Sequence, residues 1–210
     1  MGIKERYRNF MLQLQKIYSL GEATAITNRV FEKAVSLKRS DILKDPTREI
    51  TPEADESIQN ILQQLLQHKP VQYVLGEAWF YNMKFKVNEH VLIPRPETEE
   101  LVEQLIKDRK SKLTDPKILD IGTGSGCIPI AIQKNLPASL VTAIDISENT
   151  IALAAENAVL HNTHVNFKQM DFLDEKKWES LPMFDIIISN PPYIPINEKE
   201  KVGKNASLYE

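Results

Sequence analysis

Cysteine is almost absent from this sequence: Cys127 is the single one in 210 residues. One cysteine cannot form an intramolecular disulfide, and it excludes a cysteine-rich metal site. Long apolar runs are also missing, since segments such as Ile186–Ile188 are far shorter than the ~20 apolar residues that span a bilayer. The first ten residues are charged, so a signal peptide is not expected. A cytoplasmic location is therefore the default expectation, with no membrane partner.

A strong charge of one sign is missing as well. The chain has 26 Lys and Arg against 29 Asp and Glu, which gives a net charge of -3. A protein that neutralises many phosphates needs a strongly basic surface. This composition therefore disfavours nucleic acid as the main partner.

Residues 1–70 show the three- and four-residue apolar spacing of helices. Gly21 is expected to end the first helix, and Thr51-Pro52-Glu53 predicts a later helix start, because threonine is a good N-cap and proline suits the first turn. The stripes that indicate these helices are Tyr7, Phe10, Met11, Leu14 and Ile17, then Ile26, Val30, Ala34 and Leu37, then Ile58, Ile61, Leu62, Leu65 and Leu66. We predict a small all-α bundle over residues 1–70.

The period changes to the alternation of strands after residue 70. Trp79, Tyr81, Met83, Phe85 and Val87 alternate with other residues, and Asn82 lies where a hairpin turn would fall. We predict a β-hairpin linker over residues 71–97 and a helix over 98–107.

Strands and helices alternate from Pro116 onward, which is typical of a parallel sheet with helices on both faces. Such a sheet binds ligands beyond the carboxyl ends of its strands. The predicted strands are 117–121, 140–144, 165–169 and 184–189, and the predicted helices are 128–134 and 149–161. Residues 98–210 are therefore predicted to form the domain that binds a ligand.

Two features at the predicted strand ends suit a nucleoside cofactor. Gly122, Thr123, Gly124, Ser125 and Gly126 follow the first strand and open a helix, where glycine permits a tight turn and free N–H groups favour an anionic group. The acid that ends the second strand suits the ribose hydroxyls of NAD or S-adenosylmethionine. That acid is Asp145. The alternatives are a turn without a ligand and a carboxylate that stabilises the following helix.

Asp171 and Phe172 end the third predicted strand. The carboxylate could accept a hydrogen bond from an adenine amino group, and the ring could stack on the base. A loop acid and a core aromatic are equally open interpretations. We interpret Cys127 as a small packing residue at the start of a helix.

The sharpest pattern follows the fourth predicted strand. Asn190 offers a side-chain carbonyl, while Pro191 and Pro192 lack N–H groups and leave carbonyl acceptors. Two acceptors that converge on a planar NH2 group would hold it in one orientation, and Tyr193 could cover its flat face. The pattern indicates recognition of an amide or of an amino group on a base.

These motifs together resemble those of class I S-adenosylmethionine-dependent methyltransferases that methylate amino groups, with Ile118–Ile121 before the glycine turn. Residues 70–77, PVQYVLGE, and 92–99, LIPRPETE, closely resemble the linker of the HemK-type peptide-release-factor glutamine N5-methyltransferases. The resemblance runs from about Leu65 to Tyr193. It implies a helical bundle that recognises substrate, a hairpin linker and a Rossmann-like α/β catalytic domain with a parallel sheet.

The resemblance also implies roles for individual residues. Gly122–Gly126 would contact the methionine part of S-adenosylmethionine, Asp145 its ribose, and Asp171 with Phe172 its adenine. Asn190 would contact the cofactor and, together with the carbonyl of Pro191, would bind the substrate amide, with Pro192 shaping the loop and Tyr193 packed beside it. The substrate would be the glutamine of the Gly-Gly-Gln motif in class 1 release factors, with no metal required.

Class I methyltransferase sheets normally have seven strands, whereas four are predicted here, so we expect a C-terminally truncated catalytic domain. Three alternatives stay open on the sequence. They are an amino-methyltransferase of DNA or RNA bases, an NAD-dependent oxidoreductase, and a module that binds the cofactor without turnover.

Overall fold

A computed structural model describes residues 2–109 and 115–191, which fall into two compact units. The first unit ends at Leu75 and the second begins at Gly76. The expectations for Pro192 and Tyr193 lie outside the described residues.

Helices account for the first unit, as the apolar spacing predicts. They are α1 (Ile3–Leu14), α2 (Leu20–Val35), α3 (Arg39–Lys44), α4 (Pro52–Leu66) and α5 (Val71–Leu75). The short helix α5 begins the segment for which the sequence predicts a hairpin linker. Its Leu75 packs into the apolar cluster of the first unit. The strands of the predicted hairpin therefore begin only after this helix, at Glu77.

The helix starts follow from local hydrogen bonds. Ser19 accepts from the Glu22 N–H, and the Glu22 carboxylate accepts from the Ser19 N–H, which is a complete capping box for α2. The Thr51 hydroxyl accepts from Ala54 N–H ahead of Pro52, so the predicted start of α4 is confirmed. The expectation that Gly21 ends the first helix is wrong, because the capping box places Gly21 inside the first turn of α2.

Phe31 lies at the centre of the first unit and is fully buried. Its ring meets the rings of Tyr7 and Phe10 edge-on, with centroids 5.2 and 5.7 Å apart. Aromatic pairs prefer this arrangement because the positive edge of one ring meets the negative face of the other. The bundle is thus held by one apolar cluster.

The second unit starts with a hairpin of β1 (Glu77–Phe80) and β2 (Met83–Lys86), which pair antiparallel. Tyr81 and Asn82 form the two-residue turn, both with positive φ, at 50° and 59°. This is the geometry of a type I′ turn, and its twist matches that of the strands. The hairpin turn expected at Asn82 is therefore confirmed. Helix α6 (Pro96–Arg109) follows.

Four parallel strands form the main sheet in the order β5-β4-β3-β6. Their bounds are β3 (Lys117–Ile121), β4 (Leu140–Asp145), β5 (Asn166–Gln169) and β6 (Ile186–Ser189), with helices α7 (Cys127–Asn135) and α8 (Glu148–Leu160) between the first three. The α/β fold with a parallel sheet is as predicted.

Helices cover one face of this sheet in the described part of the chain. Ile118 of β3 and Ile188 of β6 share an apolar cluster with α6 and α7. On the other face, Leu119, Ile144 and Met170 pack against Phe172, Leu181 and Phe184 from the segment between β5 and β6. That segment contains a 3₁₀ helix over Glu175–Ser180 rather than an α-helix. Among these residues, the α-helices expected on both faces thus lie on one face, and the other face is covered by the segment that contains the 3₁₀ helix.

Helix α8 also supplies hydrogen-bond partners to the outer edge of the hairpin. The Asn157 side chain bonds both the N–H and the carbonyl of Lys86, at 2.8 and 2.9 Å. His161 Nε2 lies 2.9 Å from the Lys84 carbonyl, and the Thr150 hydroxyl donates to the His90 carbonyl at 3.1 Å. An exposed strand edge invites association with other chains, so these side chains protect it while they attach the hairpin.

Candidate cofactor and substrate site

The carboxyl ends of the four strands lie side by side. Ile121 of β3 pairs with Ile144 of β4 on one side and with Ser189 of β6 on the other. The Ser189 hydroxyl also donates to the Ile121 carbonyl at 2.8 Å. Because neighbouring strands are about 4.8 Å apart, the glycine turn after β3 and the Asn190 loop after β6 leave the sheet from adjacent positions.

Backbone hydrogen bonds fix the start of the glycine turn. The N–H groups of Gly122 and Thr123 both donate to the Ile144 carbonyl, at 2.9 and 3.1 Å. The Gly126 N–H donates to the Thr123 carbonyl at 2.9 Å, which closes a tight turn. The turn is therefore preorganised by β4 and by itself.

The three glycines of the turn have positive φ but different surroundings. A Cβ added at Gly122 or Gly124 would meet nothing within 4 Å, so the backbone there borders open space. A Cβ at Gly126 would lie 3.1 Å from both the Ala154 Cβ of α8 and the Ile130 Cδ1 of α7. Gly122 and Gly124 leave room for a ligand, whereas Gly126 lets α8 approach the turn.

The side chains within the turn point into the protein. Thr123 and Ser125 are almost fully buried, and neither hydroxyl has a hydrogen-bond partner among the described residues. Only the backbone of these two residues is available at the site. A ligand would thus be contacted by main-chain groups, as the predicted role of residues 122–126 requires.

Asp120 is a fully buried carboxyl one residue before the end of β3. Burial raises its pKa to about 7, and the nearby Asp145 adds to the rise. The Thr123 hydroxyl opposes this rise, but it is not placed to satisfy the carboxyl, whose two oxygens have no hydrogen-bond partner among the described residues. Because a buried carboxylate without a partner is costly, a cationic group bound above the turn would stabilise the charged form of Asp120 through its field, without contact between the two.

Cys127 begins α7 and is buried beneath the same turn. Burial raises the pKa of its thiol to about 12. A thiol that keeps its proton is a poor nucleophile and a poor metal ligand, which agrees with a packing role. In the part of the chain that the structure describes, no group of His, Cys, Asp and Glu is arranged to hold a metal ion.

Asp145 ends β4 and is bonded to two backbone groups. One carboxylate oxygen accepts from the Gly124 N–H at 3.2 Å and the other from the Ser147 N–H at 3.0 Å. Each carboxylate oxygen can accept more than one hydrogen bond. The residue therefore stabilises the glycine turn and the start of α8, and it keeps lone pairs that could bind hydroxyl groups.

Asp171 and Phe172 follow β5 and make mainly local contacts. The Asp171 carboxylate accepts from the Leu173 N–H at 2.9 Å. The Phe172 ring stacks on the indole of Trp178, with centroids 5.2 Å apart, and the Trp178 N–H donates to the Phe172 carbonyl. One face of Phe172 is thus occupied from within the chain, and a purine would have to use another part of the ring.

Asn190 follows β6, and its side-chain NH2 donates to the hydroxyl of Thr98 at 3.0 Å. Thr98 is buried in the first turn of α6. The next residue, Glu99, accepts from the Tyr81 N–H of the hairpin turn at 2.9 Å. The start of α6 therefore fixes both the Asn190 side chain and the hairpin turn. Pro191 is exposed at the end of the described segment.

Three residues of this region have no assigned role in the sequence analysis: Asp120, Thr98 and Asn157. Asp120 carried a usable signal, because an acid inside an otherwise apolar strand is rarely buried without a function. The sequence gives no such signal for Thr98 or Asn157. Thr98 bonds a residue 92 positions away, and Asn157 bonds a residue 71 positions away.

Comparisons with known proteins agree on one family. Residues 96–206 match the model of the methyltransferase small domain, and residues 7–76 match that of the PrmC N-terminal domain. The release factor glutamine methyltransferase of Flavobacterium psychrophilum is 42% identical over all of this chain and 74% of its own length. That of Streptococcus pneumoniae is 40% identical over all of this chain and 72% of its own length.

A solved structure also aligns with part of the chain. The ribosomal protein L11 methylase of Lactobacillus delbrueckii subsp. bulgaricus is 28% identical over 46% of this chain and 47% of that chain, with a TM-score of 0.39. Among the described residues, no helix is long and apolar enough to cross a membrane.

Proposed function

Because this chain belongs to the release factor glutamine methyltransferase family, we propose that it methylates the side-chain N5 of the Gly-Gly-Gln glutamine in class 1 release factors. The activity of the family is the S-adenosylmethionine-dependent transfer of a methyl group to a release factor glutamine. The comparisons do not favour a base methyltransferase, an oxidoreductase or a module without turnover.

The residues at the strand tips fit S-adenosylmethionine. Gly122 and Gly124 leave open space above the turn, and Asp120 places an unpartnered carboxyl beneath it. The cofactor carries a cationic ammonium and sulfonium, a carboxylate and a ribose with two hydroxyls. A buried acid, a helix start and a second acid at the end of β4 complement these groups.

We assign the cofactor contacts accordingly. The backbone of residues 122–126 would hold the methionine part, Asp145 the ribose hydroxyls, and Asp171 with Phe172 the adenine. The hydrogen bonds from Gly124 and Ser147 support Asp145, because they fix its carboxylate beside the turn. The stack with Trp178 restricts how Phe172 can meet the base.

The observation that carries the substrate proposal is the adjacency of Asn190 to the glycine turn. Ser189, one residue before it, is paired with Ile121, which is one residue before Gly122. The substrate amide would be bound by the Asn190 side chain and the Pro191 carbonyl, with Pro192 and Tyr193 completing the loop. Thr98 would keep the Asn190 amide in one orientation.

The chemistry requires positioning, because resonance makes an amide nitrogen a weak nucleophile. When bound, S-adenosylmethionine supplies an activated methyl group. Asn190 and the Pro191 carbonyl would accept hydrogen bonds from both amide hydrogens and hold the nitrogen in line with that methyl. The same acceptors would stabilise the positive charge that develops on nitrogen during transfer, and one of the two amide hydrogens would then leave as a proton to solvent.

We also propose a division of labour along the chain. Residues 1–70 would recognise the release factor, residues 71–97 would form the linker, and residues 98–210 would carry cofactor binding and catalysis. Since release factors act on ribosomes, the reaction would take place in the cytoplasm, and nucleic acid would not be a direct substrate.

Mass spectrometry of a release factor incubated with this protein and S-adenosylmethionine tests the proposal. We expect a gain of one methyl group on the Gly-Gly-Gln glutamine. A parallel reaction with duplex DNA separates the base methyltransferase alternative. Methylation of DNA but not of the release factor would contradict the proposal.

The Asn190→Ala variant tests the substrate site. We expect methyl transfer to fall by about a hundredfold or more, since a transition-state hydrogen bond is lost, while S-adenosylhomocysteine binding changes little. The control is Asn166→Ala, which removes the same kind of side chain at the amino end of β5. Wild-type activity in Asn190→Ala would rule out the assigned role.

A further inference from the structure

We infer that Asn157 is a positioning residue that fixes the conformation of the glycine turn, where the cofactor would bind, and attaches this turn to the hairpin. This inference rests on the proposed function, because it assigns the glycine turn to the cofactor. Asn157 is fully buried in the third turn of α8, so it cannot touch the cofactor itself. Its effect on cofactor binding must pass through the backbone groups that it holds.

The Asn157 amide uses both of its N–H donors and its oxygen. Its nitrogen donates to the Ser125 carbonyl of the glycine turn and to the Lys86 carbonyl of β2, each at 2.9 Å. Its oxygen accepts from the Lys86 N–H at 2.8 Å. Exchange of the oxygen and nitrogen would place the oxygen against two carbonyls, so the hydrogen bonds define a single orientation.

The bond to Ser125 fixes a peptide unit whose other end is also held. The Ser125 carbonyl is directed to Asn157, while the Gly126 N–H of the same peptide unit donates to the Thr123 carbonyl. A trans peptide is planar, so two opposite hydrogen bonds fix the rotation of the whole unit. This rotation also determines how the neighbouring N–H groups of the turn face the open space above Gly122 and Gly124.

A second contact between α8 and the turn is independent of this hydrogen bond. Gly126 lies so close to Ala154 that an added Cβ would be 3.1 Å from the Ala154 Cβ. Ala154 precedes Asn157 by three residues, so both lie on the same face of α8. The turn therefore rests on α8 by packing at Gly126 and by a hydrogen bond at Ser125.

The same helix face provides a matched control. Thr150 and Asn157 are seven positions apart, and each donates to a backbone carbonyl of the hairpin arm, which is β2 with the residues that follow it as far as His90. Thr150 is as well buried as Asn157, but its side chain bonds the arm at His90 and not the glycine turn. Thr150→Val keeps the shape of the side chain and removes only the hydroxyl hydrogen bond.

The test compares Asn157→Asp with Thr150→Val in S-adenosylhomocysteine binding by calorimetry and in thermal unfolding. The aspartate keeps the size and the acceptor of Asn157 but removes the N–H donors. We expect affinity for S-adenosylhomocysteine to fall about tenfold or more in Asn157→Asp and less than about twofold in Thr150→Val, a contrast of at least ~1 kcal/mol in binding. In turnover, the loss should appear in KM for S-adenosylmethionine rather than in kcat.

Binding is measured under conditions in which circular dichroism shows that both variants are folded. Asn157→Asp should be the less stable variant, because a buried carboxyl would face two carbonyls. A loss of affinity in it that exceeds the loss in Thr150→Val, measured where both are fully folded, supports the inference. If affinity is retained in Asn157→Asp, or falls in both variants in proportion to their loss of stability, then Asn157 acts only as a structural residue and the inference is overturned. Binding needs no release factor, so failure to methylate one contradicts the proposed substrate and leaves this comparison intact.

Discussion

The two units bury different kinds of side chain. Among the described residues of the first unit, Thr27 is the one fully buried polar residue, and its hydroxyl donates to the Ala23 carbonyl of its own helix. Arg6 and Asp55, which form an ion pair, are only partly buried, although each also buries one atom without a partner. The second unit buries nine such side chains by the same measure, namely Thr98, Asp120, Thr123, Ser125, Ser139, Thr142, Thr150, Asn157 and Thr163. Of these, Thr98 bonds Asn190, Asn157 bonds both the hairpin and the glycine turn, and Thr123 and Ser125 belong to that turn.

This difference indicates that the second unit gives up some stability at the proposed cofactor site. An apolar cluster such as that around Phe31 gains free energy from each buried side chain, whereas a buried polar group gains little and costs much when unpaired. The unpartnered oxygens of Asp120 and the hydroxyls of Thr123 and Ser125 belong to the second kind. Substitutions should therefore change stability alone in the first unit and stability together with cofactor binding in the second.

The largest loss of stability is expected for Phe31→Ala. Removal of this fully buried ring should destabilise the protein by about 3–5 kcal/mol, because a large cavity remains between Tyr7 and Phe10. Denaturant unfolding measures the loss, and Leu20→Ala on the exposed surface is the control. Affinity for S-adenosylhomocysteine should be retained while the chain is folded. A parallel loss of affinity would contradict the contrast between the units.

Asp120→Asn should have the opposite effect on stability, and the effect depends on pH. The folded pKa is about 7, above the ordinary value of 3.8, so between these values the folded chain holds a proton that the unfolded chain has lost. Wild-type stability must then fall as pH rises through this window and level off above it. Asp120→Asn removes this fall, with an upper limit of about 4 kcal/mol at alkaline pH.

Unfolding of wild type and Asp120→Asn at several pH values measures this difference. The two proteins should converge near the lower end of the window and diverge toward its upper end. The variant should also bind S-adenosylhomocysteine more weakly, since the negative charge beneath the turn is lost. Identical pH profiles would show that the pKa of Asp120 is not raised by folding. Unchanged affinity for S-adenosylhomocysteine would show that Asp120 has no part in cofactor binding.

Gly126→Ala and Gly124→Ala should separate packing from ligand access. At Gly126, φ is 78° and the added Cβ would meet Ala154, so we expect a loss of about 2–3 kcal/mol in stability and weak cofactor binding. At Gly124, φ is 54° but the Cβ meets nothing, so the stability loss should be about 1 kcal/mol. The Cβ there would fill the proposed cofactor space, so binding should still be lost. Equal stability of the two variants would contradict the close packing at Gly126.

The smallest effect is expected at an exposed helix start in the first unit. Ser19→Ala removes the cap of α2 and should cost about 1 kcal/mol. Glu22→Gln keeps an acceptor for the Ser19 N–H and should cost less. Thermal unfolding of both variants measures this order, and neither should change cofactor affinity. A reversed order would show that the Glu22 charge matters more than the serine cap.

Local patterns predicted much of this architecture. The run of Lys117–Ile121 predicted β3 with its observed bounds, because Ile118, Leu119 and Ile121 give it the mainly apolar sequence of a buried parallel strand. Thr51 and Pro52 predicted the start of α4 for local reasons of capping. The helix α5 and the 3₁₀ helix over Glu175–Ser180 escaped prediction, since elements of five or six residues are too short to show a period.

The site was less accessible to sequence reasoning. Gly122–Gly126, Asp145 and Asn190 could be placed at strand tips because parallel topology brings these tips together. The local pairing of Phe172 with Trp178 could not, since it depends on how the connection to β6 folds. The role of Asn157 could not be predicted for a different reason. Its three hydrogen bonds all go to backbone atoms, which every partner residue would provide whatever its side chain.

The way in which α8 holds the hairpin has a consequence for sequence change. Thr150, Asn157 and His161 bond main-chain atoms of residues 90, 86 and 84, and every amino acid provides these carbonyls. Replacement of the side chains of Lys84, Lys86 or His90 would therefore leave these hydrogen bonds in place. Replacement of Thr150, Asn157 or His161 would remove them. The outward side chains of the hairpin can therefore vary in sequence while its attachment to α8 is kept.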